Sequence, residues 1–340
     1  MLENNSAYRH RVNTSQLLLI LWVLISSLLI FINIRTIVSF TSYDEQLFLN
    51  FSNEVLEYNF IRYVIWGFYI EKLSSLSLNL PILINLIIFY FSLRSFITYF
   101  KPNNVFIISI FLIPSLLFYS TTYLRDFVIV AFLFYIITFL KDFQSKNLFK
   151  VLILISLVFL LRPQMGLVII LAIIIAKYLP KINPHIPSIF ILIITSLVIV
   201  NIDSLRESFK DYYYTLNLND SISLFGFEIY DVSNLELYCT IFFNWILFWF
   251  GLNLESQTND YYLLIFMIEA FIYGILFFLS FFMYKNYKYK KSFVYRFCFL
   301  ILLSSIFFSI FEAEWASVYR HKLFFIPVLL YLSNVNSLKK

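Results

Sequence analysis

The stretch VLILISLVFLLRPQMGLVIILAIIIAK, residues 151–177, holds two unbroken apolar runs parted by Arg162-Pro163-Gln164. Neither run alternates polar and apolar positions as a half-buried strand would, so both are expected to be helices. Proline lacks the N–H that a helix interior needs, and its ring clashes with the preceding turn, so the helix must break at Arg162-Pro163. A break flanked by such apolar sequence is tolerated only inside protein or beside a wet cavity. Two short apolar helices hinged at an arginine point to an all-α, polytopic integral membrane protein.

The rest of the chain repeats that pattern. It has 340 residues, of which 61% are hydrophobic and 13% charged, and its mean hydropathy is +0.82. Such a composition belongs to the membrane class. Only five Gly and eight Pro are present, against 42 Phe and 25 Tyr. Those numbers exclude a loop-rich or glycine-zipper design and favour bulky aromatic packing with interfacial belts. Long apolar runs, in place of alternating segments, exclude a barrel. About ten transmembrane helices are expected, over 17–34, 80–98, 105–120, 127–140, 151–161, 166–179, 188–202, 261–284, 293–311 and 323–336. The apolar stretch 239–252 keeps that parity only if it is interfacial or re-entrant. Residues 1–340 are expected to form a single membrane domain with two long outer loops, 35–79 and 203–260.

Charge fixes the orientation. With the N-terminus inside, the cytoplasmic segments carry fourteen basic residues and two acids, Glu3 and Asp142. The outer segments carry nine basic residues and seventeen acids, while Arg94, Arg296 and Glu269 fall within spans. This asymmetry follows the positive-inside rule and places both termini in the cytoplasm. Residues 1–16 are expected to be a short polar tail, and the first span an uncleaved signal anchor, since no small-residue cleavage site follows Ile34. Cys239 and Cys298 make no disulfide framework. His10, His185 and His321 are scattered without metal-ligand spacing, so no metal or other cofactor is implied. There is no nucleotide-binding glycine loop and no internal repeat, and the positive balance comes from inner-face anchors with no bearing on nucleic acid.

Against that background four of the basic groups on the disfavoured side abut apolar segments. They are Arg125 in Leu124-Arg125-Asp126, Arg162, and Arg320 and Lys322 in Tyr319-Arg320-His321-Lys322. Charges at membrane depth are expensive and mark functional sites by default. Asp126 suits a helix N-terminus, where the dipole favours an acid, but Arg125 there is better explained by an anionic ligand. Arg162 could snorkel to the outer interface or line a cavity at its helix break. Arg320, His321 and Lys322 enter the last span as three consecutive donors, and arginine grips phosphate with two prongs while lysine acts as a point charge. Asp44-Glu45, just after the first span, supplies carboxylates on the same side. One of them could take a proton from an attacking hydroxyl while arginines stabilise a departing phosphate.

The outer loops add two features. In 35–79 the spacing of Ile61, Val64, Ile65, Phe68 and Tyr69 predicts one or two helices lying on the membrane surface. In 203–260 carboxylates mix with the Tyr212-Tyr213-Tyr214 run. That mixture fits carbohydrate, whose ring faces stack on aromatics, and it equally fits a solvated loop with interfacial tyrosines.

The layout resembles bacterial polytopic glycosyltransferases of the GT-C type and, equally, the Wzy-type polymerases of O-antigen and capsule assembly. The residues that carry the likeness are Asp44-Glu45 in the first outer loop, Pro114 through Arg125-Asp126, Leu161-Arg162-Pro163 and the Tyr319-Arg320-His321-Lys322…Pro327 ending. The likeness spans roughly 35–180 and 312–336. It implies glycosyl transfer at the periplasmic face of the bacterial inner membrane from an undecaprenyl-(di)phosphate-linked donor, most simply polymerisation of repeat units. In that scheme Asp44 is the general base with Glu45 as helper, and Arg125, Arg162 and Arg320 clamp the phosphate beside Asp126, His321 and Lys322. The implied partners are the undecaprenyl-linked oligosaccharide, a chain-length regulator protein and the bilayer. Single-sugar transfer is the nearest alternative. A lipid-linked oligosaccharide flippase or other transporter is the competing class, although the charges gather at one face and no repeat is present.

Overall fold

The computed structural model describes residues 3–32, 61–141, 145–178, 245–246, 248–250, 260–281, 292–311 and 320–337. Of the described residues 89% are helical and none lies in a strand, so the described part of the chain is all-α. The chain divides into two compact units, Met1–Ile174 and Ile175–Lys340.

The first unit opens with α1, Glu3–Phe31. The polar tail expected over 1–16 is thus helical from Glu3 onward, because no Gly or Pro interrupts it. Helix α2, Ile61–Ser74, occupies the end of the first outer loop. It buries Trp66 and Ile70, whereas Val64, Ile65 and Phe68 are exposed. Helix α3, Leu80–Phe100, starts with a proline in its first turn and stops where Lys101 turns left-handed (φ 49°) and returns its N–H to the Ile97 carbonyl. Pro102 follows and prevents any continuation.

The segment expected as one helix over 105–120 is two, α4 (Asn104–Phe111) and α5 (Pro114–Tyr119). Pro114 cannot bond back to the preceding turn and holds Ile113 extended (φ −72°, ψ 111°), which parts them. Helices α6, Asp126–Lys141, and α7, Ser145–Leu161, pack against each other, and α3 lies on α6. Helix α8, Pro163–Tyr178, begins directly after Arg162, so the expected break falls at Arg162-Pro163. The core between α3 and α6 is aromatic, with Phe89 stacked on Phe127 and edge-on to Phe134.

The second unit is built on α9, Asp260–Phe281, which packs against α12, Ile326–Ser337. Between them in sequence come α10, Phe293–Leu303, and α11, Ser305–Phe311. A single helix was expected over 293–311; it is interrupted at Ser304, whose hydroxyl donates to the Ile301 carbonyl at 2.6 Å. Such a side chain competes with the backbone ladder and bends the helix. Trp245 and Trp249 both donate their indole N–H to Ser305 Oγ, at 2.8 and 3.2 Å. Gly274 allows this close packing, since a Cβ there would lie 2.6 Å from the Phe250 ring. Before α12 the chain is helical over 320–322 and tightens to a 3₁₀ turn at Leu323–Phe325.

Two of the described helices are long and apolar enough to cross a membrane, Thr14–Phe31 and Leu80–Phe100. Shorter apolar helices are Asn147–Leu161, Pro163–Tyr178, Met267–Phe281 and Phe293–Leu303. The expected span 188–202 and the loop 203–260, apart from the helical residues 245–246, 248–250 and 260, lie outside the described residues.

Candidate functional site

In the first unit the charged residues gather where α6 begins and α7 ends. Because α6 and α7 are sequential and pack on each other, the N-terminus of one lies beside the C-terminus of the other. Asp126 is the first residue of α6, where the helix dipole favours an acid; Arg162 stands just past α7, where it favours a cation. The two meet. Arg162 Nη1 donates to Asp126 Oδ1 at 2.5 Å across a sequence separation of 36 residues. Their side chains are 10% and 2% exposed, so this is a buried ion pair. Arg125, next to Asp126 in the chain, is buried as well. Asp126 therefore acts as the counter-ion of an arginine that sequence spacing did not connect to it.

The approach to Arg125 is held by a chain of hydrogen bonds. Residues 119–126 are buried although they include Ser120, Thr121, Thr122, Arg125 and Asp126. Ser120, Thr121 and Thr122 return their hydroxyls to the carbonyls of Leu117, Phe118 and Tyr119. Trp66 donates its indole N–H to the Tyr123 carbonyl at 2.7 Å, and the Tyr123 hydroxyl donates to the Leu78 carbonyl at 2.6 Å. The Arg125 carbonyl accepts from Val128 and Ile129 and so starts α6. Through Trp66, α2 thus holds the backbone two residues before the arginine. On α2, the Tyr69 hydroxyl donates to Asn85 Oδ1 at 2.9 Å, and burial pushes its pKa up to about 12.

Arg162 is positioned by its own break. Its N–H closes on the Val158 carbonyl at 2.7 Å and its carbonyl accepts from Gly166 at 3.0 Å. Gly166 sits where any side chain would collide with α7: a Cβ would lie 2.7 Å from both Cα and Cβ of Phe159. The glycine lets α8 start tightly against α7 and so sets where the guanidinium emerges.

The second unit holds a separate buried charge pair. His321 and Lys322 are 0% and 1% exposed, while Arg320 is half-buried. The Lys322 ammonium lies 5.6 Å from the Tyr273 ring centre and 5.8 Å from that of Phe248, within cation–π range. It also feels the carboxylate of Glu269, which is fully buried. Glu269 and Tyr273 are one turn apart on α9 and face the same lysine. His321 lies between Phe308 and Phe324, each ring centre 5.6 Å away.

Glu269 had no place among the residues expected to carry chemistry. Its signal was present as an acid inside the apolar stretch LLIFMIEAFIYGILFFL, residues 263–279. Of the expected residues, the fold joins Arg125, Asp126 and Arg162 in one unit and His321 and Lys322 with Glu269 in the other. Asp44 and Glu45 lie outside the described residues.

No protein-family model, curated protein or solved structure matches this chain. The functional reading therefore rests on the residues themselves.

Proposed function

We propose that the chain is a polytopic enzyme of the bacterial inner membrane that transfers glycosyl groups at the periplasmic face. Its donor is a sugar carried on undecaprenyl (di)phosphate, and its most natural reaction is polymerisation of O-antigen or capsule repeat units. The observation that carries this reading is the buried Arg125–Asp126–Arg162 cluster. All three groups are buried, and charged side chains in such a setting answer to a polar ligand or a structural need. A lipid phosphate fits such a place, because guanidinium groups grip phosphate with paired donors and low dielectric strengthens the attraction.

The membrane setting is supported by apolar side chains turned outward along α1, where Leu17, Leu24 and Leu28 are 66%, 61% and 58% exposed. Large exposed apolar surface is unusual on a protein bathed in water. The exposed Val64, Ile65 and Phe68 of α2 suit a helix resting on a membrane surface. Ten spans, cytoplasmic termini and an outer 203–260 loop follow from the charge distribution. In this mechanism Asp44 accepts the proton of the acceptor hydroxyl with Glu45 beside it, while Arg125 and Arg162 steady the charge that develops on the lipid phosphate. The undecaprenyl-linked oligosaccharide and a chain-length regulator are the partners this scheme requires.

A transporter of lipid-linked oligosaccharide is the second reading, favoured by the buried Glu269–Lys322 pair. Opposite charges buried within apolar helices are also the parts of ion and proton pathways. The two separate on Asp44, since transport needs no deprotonation of a hydroxyl. Deletion of the gene followed by glycan gel analysis should collapse the ladder to one repeat unit. A missing side-branch would indicate single-sugar transfer, and loss of all repeats would indicate export. General-base assistance is worth about 10²–10⁴ in rate, so Asp44→Asn should nearly abolish polymer at unchanged protein level. Wild-type chain length in Asp44→Asn, Glu45→Gln and the double variant would remove the enzymatic reading.

A further inference from the structure

Among the described residues of the first unit, Trp22 Nε1, Ser26 Oγ and Asn85 Nδ2 are buried polar atoms that make no hydrogen bond. Their residues are 4%, 0% and 1% exposed. Buried polar groups are nearly always satisfied, because desolvation without a replacement bond is costly. One such atom can be accidental. Three in one place call for a ligand.

Helix geometry brings them together. Ser15 of α1 donates to Asn104, beyond the end of α3, while Trp22 packs on Phe89 within it. Numbers rise along α1 as they fall along α3, so the two helices are antiparallel. Trp22 and Ser26 are one turn apart on the same face of α1, as Phe89 and Asn85 are on α3. A step of ~6 Å along each helix brings Ser26 level with Asn85. The walls are aromatic: Trp22 is stacked on Phe111 with ring centres 5.4 Å apart, and tilted on Phe89 at 5.3 Å. Tyr69 occupies Asn85 Oδ1, which leaves the amide N–H₂ as the uncommitted end.

The chemistry of the trio selects its ligand. Indole and amide N–H are obligate donors, and the serine hydroxyl can donate or accept. No member carries charge, so a phosphate or a metal ion is poorly matched. A neutral group rich in oxygen, lying against aromatic rings, is well matched. We propose that Trp22, Ser26 and Asn85 form a subsite for the hydroxyl groups of a sugar ring. It lies one aromatic layer from the charged cluster: Phe89 touches Trp22 on one side and stacks on Phe127 at 4.7 Å on the other, and Phe127 follows Asp126. The inference rests on the proposed reading of a phosphate-linked sugar substrate, and assigns the sugar to this trio and the phosphate to Arg125 and Arg162.

The test uses the full chain in lipid nanodiscs, ¹⁵N-labelled at tryptophan, with the Trp22 indole resonance assigned by its loss in Trp22→Phe. The probe is octyl β-glucoside below its micelle concentration; octanol and octyl phosphate report on the tail and on an anion. The glucoside should shift the Trp22 resonance, and the two controls should not. Ser26→Ala should weaken the apparent affinity about tenfold, the loss expected for one neutral hydrogen bond. Its thermal midpoint should stay or rise, because the hydroxyl has no partner within the fold. Trp22→Phe, titrated by calorimetry, should lose affinity to a similar degree. Absence of a glucoside shift, an equal shift with octanol or octyl phosphate, or a lowered midpoint in Ser26→Ala would each overturn the subsite. Unaltered polymer in the Asp44 and Glu45 variants alongside a clear glucoside shift would remove the polymerase reading and leave the sugar site standing. Loss of polymer in Asp44→Asn without a glucoside shift would do the reverse.

Discussion

Asp126→Asn is expected to be the most damaging single change in the first unit. The Arg162–Asp126 contact is 2.5 Å with both side chains at or below 10% exposure, so little water screens it. Removing one member of a buried pair costs about 3–5 kcal/mol, mostly because the other charge is left uncompensated. Asp126→Asn leaves the Arg162 guanidinium buried without this carboxylate and should fall within that range. Arg162→Met should cost less, about 2–3 kcal/mol, because Asp126 keeps the favourable dipole of the α6 N-terminus and Arg125 beside it in the chain. The double variant Asp126→Leu/Arg162→Met removes both charges and should fall within about 1 kcal/mol of wild type. The measurement is reversible unfolding in mixed micelles by titration with sodium dodecyl sulfate, followed by tryptophan fluorescence. Single costs that add within about 0.5 kcal/mol in the double variant would show that the pair is not coupled, and would refute the reasoning. Polymer analysis completes the test. A stable but inactive double variant is expected if the arginine also grips phosphate, whereas full activity would reduce the pair to a clasp between helix ends.

Gly166→Ala should lower stability by about 1–3 kcal/mol, since its methyl would press on the Phe159 backbone, which cannot swing aside; an unchanged thermal midpoint would contradict the close approach of α7 and α8. Glu269→Gln should destabilise the second unit by about 0.5–3 kcal/mol by removing a carboxylate that acts on the buried Lys322 ammonium, and Glu269→Leu/Lys322→Met should recover most of the loss in the same unfolding assay. A double variant as unstable as Glu269→Gln would show that the two groups do not compensate each other. Single cysteines placed at 146, 230 and 288 should react with an impermeant thiol reagent in intact cells at 230 alone; labelling of 146 or 288 would overturn the proposed topology.

Much of the helical framework was legible in the chain itself. Apolar runs with few Gly or Pro locate α3, α6 and α9, because local hydrogen bonding and side-chain hydrophobicity act within a few residues. The break at Arg162-Pro163 was equally plain, for proline forbids the helix whatever surrounds it. The same rule acts at Pro114, which divides α4 from α5, whereas Ser304 divides α10 from α11 with no such warning. The burial of Trp66 and Ile70 on α2, in place of its other apolar face, depends on what α2 rests against, and periodicity alone does not choose between two apolar faces.

The sequence by itself determined that the fold is helical and which charges stand in apolar surroundings, since both are properties of short windows of chain. The tertiary structure decided who partners whom. Asp126 meets Arg162 because α6 and α7 double back on each other, Glu269 answers Lys322 because α9 packs beside the chain leading into α12, and Trp22, Ser26 and Asn85 share a level because α1 and α3 run antiparallel. Each pairing is paid for by burial of apolar surface elsewhere along those helices, and that non-local free energy leaves no mark on the spacing of the charged residues themselves.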